Sequence, residues 1–186
     1  MVLPIVGYGD PVLRKVASEL VEKDRRLKEL MQNMWDTMYN ANGVGLAAPQ
    51  IGESVRLFIV DASSFEEEEP ELANFKKVFI NPIILEETGQ EWLYNEGCLS
   101  IPGIREDVSR QPAITIEYYN EKWELIEETY IGMAARIIQH EYDHIEGVLF
   151  TDRLPALKKK LIKPRLNKII KGDIKIHYKM KFFNRK

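Results

Sequence analysis

The stretch "RIIQHEYDHIEGVLF" (136–150) holds two histidines four residues apart with a glutamate between them. On a helix, that spacing stacks His140 and His144 on one face, close enough to share a metal ion. Glu141 is then rotated toward a water on that ion, where a carboxylate serves as general base. Zinc peptidases built on the H-E-x-x-H pattern take a third protein ligand from further along the chain. Here Phe150 stands where the third histidine of the longer pattern would be, and no glutamate follows Glu146. Asp152, Asp173 and His177 remain downstream, and His177 sits among lysines whose charge opposes a cation.

Upstream, Cys98 in "NEGCLSIPG" is the only cysteine. A thiolate in a glycine-flanked turn could complete a Cys-His-His set with a fourth position open to water. The same thiol could instead be inert packing, or a nucleophile with His140 or His144 as its base. Spacing alone leaves the three readings open.

The elements that must position these groups are legible as periodicities. Residues 132 to 145 place Met133, Ile137, His140 and His144 on one helical face, with Gly147 just past the end. Residues 24 to 41 form an amphipathic N-terminal helix stopped by Asn42-Gly43, its methionines and Trp35 serving as core. Strands are expected at 55–62 and 77–85, and an antiparallel pair at 113–120 and 123–131. The acidic insertion at 62–76 is expected to be solvated and mobile, since its glutamates lack the alternating ligands of a calcium loop. A second helix is expected over about 155–171 with a kink or break at Pro164, followed by a lysine-edged strand in "DIKIHYKMKFF" (173–183). The expected fold is α+β: antiparallel sheets packed around a central metal-binding helix, with an N-terminal helix and a C-terminal helix followed by a short strand.

A chain of 186 residues, 45% hydrophobic and 30% charged, suits a single domain over 1–186. The lone cysteine excludes an intrachain disulfide, and no run approaches the roughly 20 apolar residues of a membrane span, so a cytoplasmic protein is expected. The net charge of -3 conceals a division: 13 Lys+Arg and two acids from Thr151 onward, against 13 and 27 before it. The basic end suits either a polyanion or pairing with the acidic body.

Three segments in order, "GVGLAAPQ" (43–50), "EGCLS" (96–100) and "QHEYDH" (139–144), resemble the signature motifs of the peptide deformylases. The resemblance implies removal of the N-formyl group from the formylmethionine of nascent peptides, with Cys98, His140 and His144 as metal ligands and a metal-activated hydroxide as nucleophile. It implies Glu141 as proton carrier, and the Gln50 side-chain amide with the Leu99 backbone N–H as donors to the developing oxyanion. Gly43, Val44, Gly45, Gly97, Met133 and Ile137 are the implied substrate-binding residues. Ferrous iron, Fe2+, is the implied cofactor, with Zn2+, Ni2+ or Co2+ able to replace it, whereas the ligand set alone suggests zinc. Arg136 is expected close to the pocket mouth with its role open, and Asp143 and Glu96 are expected either to be structural or to orient ligands. Relatives that dock a basic C-terminal helix on the ribosome suggest that role for Lys158, Lys159, Lys160, Lys163, Arg165 and Lys168. A monomer is the default. An endopeptidase or a binding protein that has kept the fold are the competing readings. The missing downstream ligand opposes the first, and joint retention of Gln50, Cys98 and Glu141 opposes the second.

Overall fold

The computed structural model describes residues 1–22 and 24–183. In chain order the elements are β1 (Ile5–Val6), α1 (Leu27–Asn40), β2 (Gly45–Ala47), β3 (Leu57–Asp61), β4 (Lys76–Thr88), β5 (Trp92–Cys98), β6 (Ile101–Arg110), β7 (Ala113–Tyr119), β8 (Leu125–Ile131), α2 (Gly132–Ile145), α3 (Ala156–Ile170) and β9 (Met180–Lys181). The main sheet is antiparallel in the order β2-β3-β4-β7-β8. Its two faces are both covered, which explains why β3 is an unbroken apolar run. Phe58 and Val60 pack with Met133, Ala134, Ile137 and Ile138 of α2, while Leu57 and Ile59 pack with Leu27, Met34 and Met38 of α1. The β5–β6 hairpin forms a separate two-stranded sheet, and its Ile101, Ile104 and Val108 pack on Ile162, Leu166 and Ile169 of α3.

The central helix has the bounds that its periodicity predicts. Gly132 begins it at a φ of +58°, a left-handed conformation that a residue with a Cβ adopts only with strain. The cap comes from far away in sequence: the Glu69 carboxylate accepts the Met133 N–H at 2.9 Å, and a Cβ on Gly132 would strike it at 2.6 Å. The acidic insertion is therefore only partly the solvated loop expected. Glu66 to Glu68 are exposed, but Leu72 is buried and Phe65 and Phe75 pack on the core. The segment holds an anion at the positive end of α2.

Two further expectations are corrected. Of the kink or break expected at Pro164, the break does not occur: α3 continues through it, because its buried Ile162, Leu166 and Ile169 hold it down and the carbonyl that loses its N–H partner belongs to exposed Lys160. The alternating segment after it is strand only at β9, which pairs in parallel with β1, so not every sheet is antiparallel. From Asp173 to Lys179 the side chains do alternate between exposed and half-buried, but the backbone crosses the mouth of a cleft instead of joining a sheet.

Candidate active site

Three elements bring the chemistry together: α2, the end of the β5–β6 hairpin, and the short turn after β2. Candidate ligand atoms of Cys98, His140 and His144 all lie within 4.8 Å of one another, and Cys98 Sγ is 3.3 Å from His144 Nε2. Tetrahedral coordination at ordinary metal–sulfur and metal–nitrogen lengths puts ligand atoms roughly 3.5 Å apart, so the cluster fits a single ion. His140 directs Nδ1 to the Glu96 carboxylate at 2.9 Å, which leaves Nε2 for a metal. Burial pushes the His144 ring down to about 3, keeping it in the neutral form that binds a cation.

Glu96 is the hub behind the histidine. Arg110 donates to both of its oxygens, at 2.7 and 3.0 Å, and Arg136 donates to one at 3.0 Å. Burial alone would raise the Glu96 carboxyl; hydrogen bonds from His140 and Arg110 outweigh it and hold the group well below the usual carboxylate range. Arg110 continues to Asp143 at 2.8 Å, which Arg153 clasps through both oxygens. Glu96 thus touches a candidate ligand directly, whereas the Asp143 side chain bonds only Arg110 and Arg153 and reaches His140 through Arg110 and Glu96. Arg110 and Arg153 were missed. Arg110 follows Ile104 and Val108 on the inward parity of β6, and a cation in that register signals a buried counter-ion.

Glu141 lies 4% exposed, with no hydrogen-bond partner for Oε2 among the described residues, and burial pushes its carboxyl up to about 7. It lies against Gly45, where an added Cβ would strike Oε1. Only glycine allows β2 to pass so near the carboxylate. Gln50 is also buried. Its Oε1 accepts the Ala47 N–H at 2.8 Å, so its amino group points to Cys98 Sγ at 3.5 Å and Ser100 Oγ at 3.4 Å.

Gly43, Val44, Gly45 and Gln50 from the β2 side and Gly97, Cys98 and Leu99 from the hairpin side line a cleft of about 650 Å³. Met133, Ile137, His140 and Glu141 form its floor along α2, while His144 lies behind it, 1% exposed. Arg136 also lines the cleft, and its guanidinium is buried over the Trp92 ring, 4.4 Å from the centroid, and donates to Trp92 O and Val108 O. Phe150, at the position of the absent histidine, stacks on His140. The sequence reading also missed Phe65, Tyr94, Lys175, Ile176 and Tyr178 as lining residues, and it put His177 on a strand face although it too lines the cleft.

A helix carrying two histidines and a buried carboxylate, met by a cysteine from a neighbouring hairpin under the edge of an antiparallel sheet, defines a metal-dependent hydrolase. The polypeptide deformylase family model matches residues 2–160, and the chain belongs to that family, hydrolases that remove the formyl group from N-terminal formylmethionine. The chain is 60% identical to a peptide deformylase of Christiangramia forsetii, over 100% of this chain and 98% of that one. It is 55% identical to one of Flavobacterium psychrophilum, over the whole of both chains. Among solved structures, a peptide deformylase from Legionella pneumophila superposes with a TM-score of 0.80 at 38% identity, covering 90% of this chain and 95% of that one.

Proposed function

We propose that Cys98, His140 and His144 hold one divalent ion, ferrous iron in the cell with zinc, nickel or cobalt able to replace it, and that the residues around it hydrolyse the formyl amide. A divalent ion bound there supplies a Lewis acid and an activated water at neutral pH. Glu141 takes the proton of the attacking water on its unpartnered Oε2 and returns it to the departing amine. The Gln50 Nε2–H and the Leu99 N–H donate to the formyl oxygen as charge grows on it. β2 is an edge strand of the main sheet, so residues 43–45 can take the substrate backbone as an added strand, with Gly97 on the hairpin side. Val44, Met133 and Ile137 receive the methionine side chain.

This reading rests above all on Glu141: a buried carboxylate with a bare oxygen on the same helix turn as two candidate ligands. Metal analysis after oxygen-free purification tests the ligand set. Cys98→Ala, His140→Ala and His144→Ala each lose the ion, whereas full occupancy in any of them removes that residue from the set. The iron assignment predicts activity that air abolishes and fresh ferrous iron restores, because a thiolate beside ferrous iron oxidises.

The default placement is a cytoplasmic monomer, with residues 1–186 as one catalytic domain. No helix among the described residues is long and apolar enough to cross a membrane. The basic face of α3 favours ribosome docking through its exposed Lys159, Lys160, Lys163 and Lys168. Lys158 is tied to Glu106 at 2.9 Å and Arg165 donates to Gly103 O, which leaves both less available. Charge reversal at the four exposed lysines abolishes co-sedimentation with ribosomes at low salt if this is so; unchanged co-sedimentation rules it out.

A further inference from the structure

The segment after α3 is fastened over the cleft at both walls. The Tyr178 hydroxyl donates to Leu99 O at 2.7 Å, on the hairpin side. His177 Nε2 lies 3.3 Å from Asn42 Nδ2, beside Gly43 on the β2 side. Ile174 and Ile176 pack on the hydrophobic cluster under the hairpin, and β9 pairs with β1. The alternate residues Lys175 and His177 are exposed and line the cleft.

The charge at this mouth has one sign. Arg105 extends its guanidinium over Gly97, where an added Cβ would meet Nη1 at 2.9 Å, and Lys175 stands on the crossing segment. Among the described residues the only carboxylates lining the cleft are Glu96 and Glu141, both buried, and Glu96 is already shared among Arg110, Arg136 and His140. Among the described residues Lys175 has no ion-pair partner, unlike Lys158 on α3. A peptide whose formyl group lies at Glu141 and Gln50 must carry its later residues out past Arg105 and residues 175–178.

We propose that residues 175–178 are a substrate-facing wall of this enzyme, and that Lys175 makes it select formylmethionyl peptides with an acidic side chain in the first residues after methionine. The inference rests on the deformylase reading above. It is tested with C-terminally amidated formyl-Met-Ala-Glu-Ser, formyl-Met-Ala-Ala-Ser and formyl-Met-Ala-Lys-Ser, comparing kcat/KM on the metal-loaded enzyme. The Glu-to-Lys ratio is expected to be roughly fivefold at low salt, the size of an exposed ion pair gained and a repulsion avoided. It should fall toward one at about 0.5 M salt, where screening is nearly complete over these distances. Lys175→Glu inverts the ratio. Lys179→Glu, equally charged but off the cleft lining, leaves the ratio where it was. A ratio of one in the parent, a ratio untouched by Lys175→Glu, or an equal shift from Lys179→Glu overturns the proposal. Absence of formate from all three peptides would overturn the deformylase reading and this inference with it.

Discussion

The Glu96 carboxylate meets His140 Nδ1 at 2.9 Å while Arg110 and Arg136 hold it from behind, so the orientation of one candidate metal ligand is fixed by a residue 44 positions away. A ligand held this way reaches the metal without losing rotamer freedom on binding. Glu96→Gln removes the charge and keeps the shape. Metal affinity in this variant should fall about 10–100-fold in a competition titration against a chelator. Unaltered affinity would mean that the pair serves packing alone.

Asp143 is another buried carboxylate, and it neutralises Arg110 and Arg153. Truncating it to alanine leaves Arg110 buried with one partner fewer, a change that should cost about 3–5 kcal/mol in urea unfolding of metal-stripped protein. Burial works against the Asp143 charge, but Arg153 and Arg110 outweigh it and hold the carboxyl below its ordinary value. A folded-state value below the unfolded one gives stability that is complete above the unfolded value of about 3.9 and is lost as pH falls through the folded one. Unfolding free energy of the parent should therefore drop in acid below about pH 4, and the drop should be smaller in Asp143→Asn.

Gly45 shares its space with Glu141. In Gly45→Ala the methyl group must displace the carboxylate, because β2 is held in register with β3. The expected result is a loss of about 10²-fold in kcat with fold and metal content retained, the size of effect that follows a displacement near 1 Å. Near-normal turnover would show that Glu141 need not occupy its present position.

Much of this architecture is legible in the sequence because it is local. The helical period of residues 132–145 places both histidines on one face, and β3 reads as a strand from its β-branched and aromatic run. Cys98 becomes a candidate ligand by chemistry and by resemblance, since nothing in its spacing says that the hairpin brings it to α2. The rest depends on pairings with no sequence period. Glu69 caps a helix 64 residues away, and Arg110 and Arg153 meet only through Asp143. The alternation of residues 173–183 looks like a strand, yet a strand needs a neighbour, and only Met180–Lys181 finds one. Residues 175–178 line the cleft instead, where Tyr178 finds the Leu99 carbonyl, a partner that a one-dimensional pattern cannot indicate.

The most direct test of the central claim is formate release from formyl-Met-Ala-Ser by oxygen-free, iron-loaded protein, run beside Glu141→Gln with the same iron content. The parent should release formate in proportion to peptide consumed, and the variant should be slower by about 10²–10⁴-fold, the range for loss of a positioned proton carrier. Undiminished turnover by Glu141→Gln, or an iron-bound parent that releases no formate, would contradict the account.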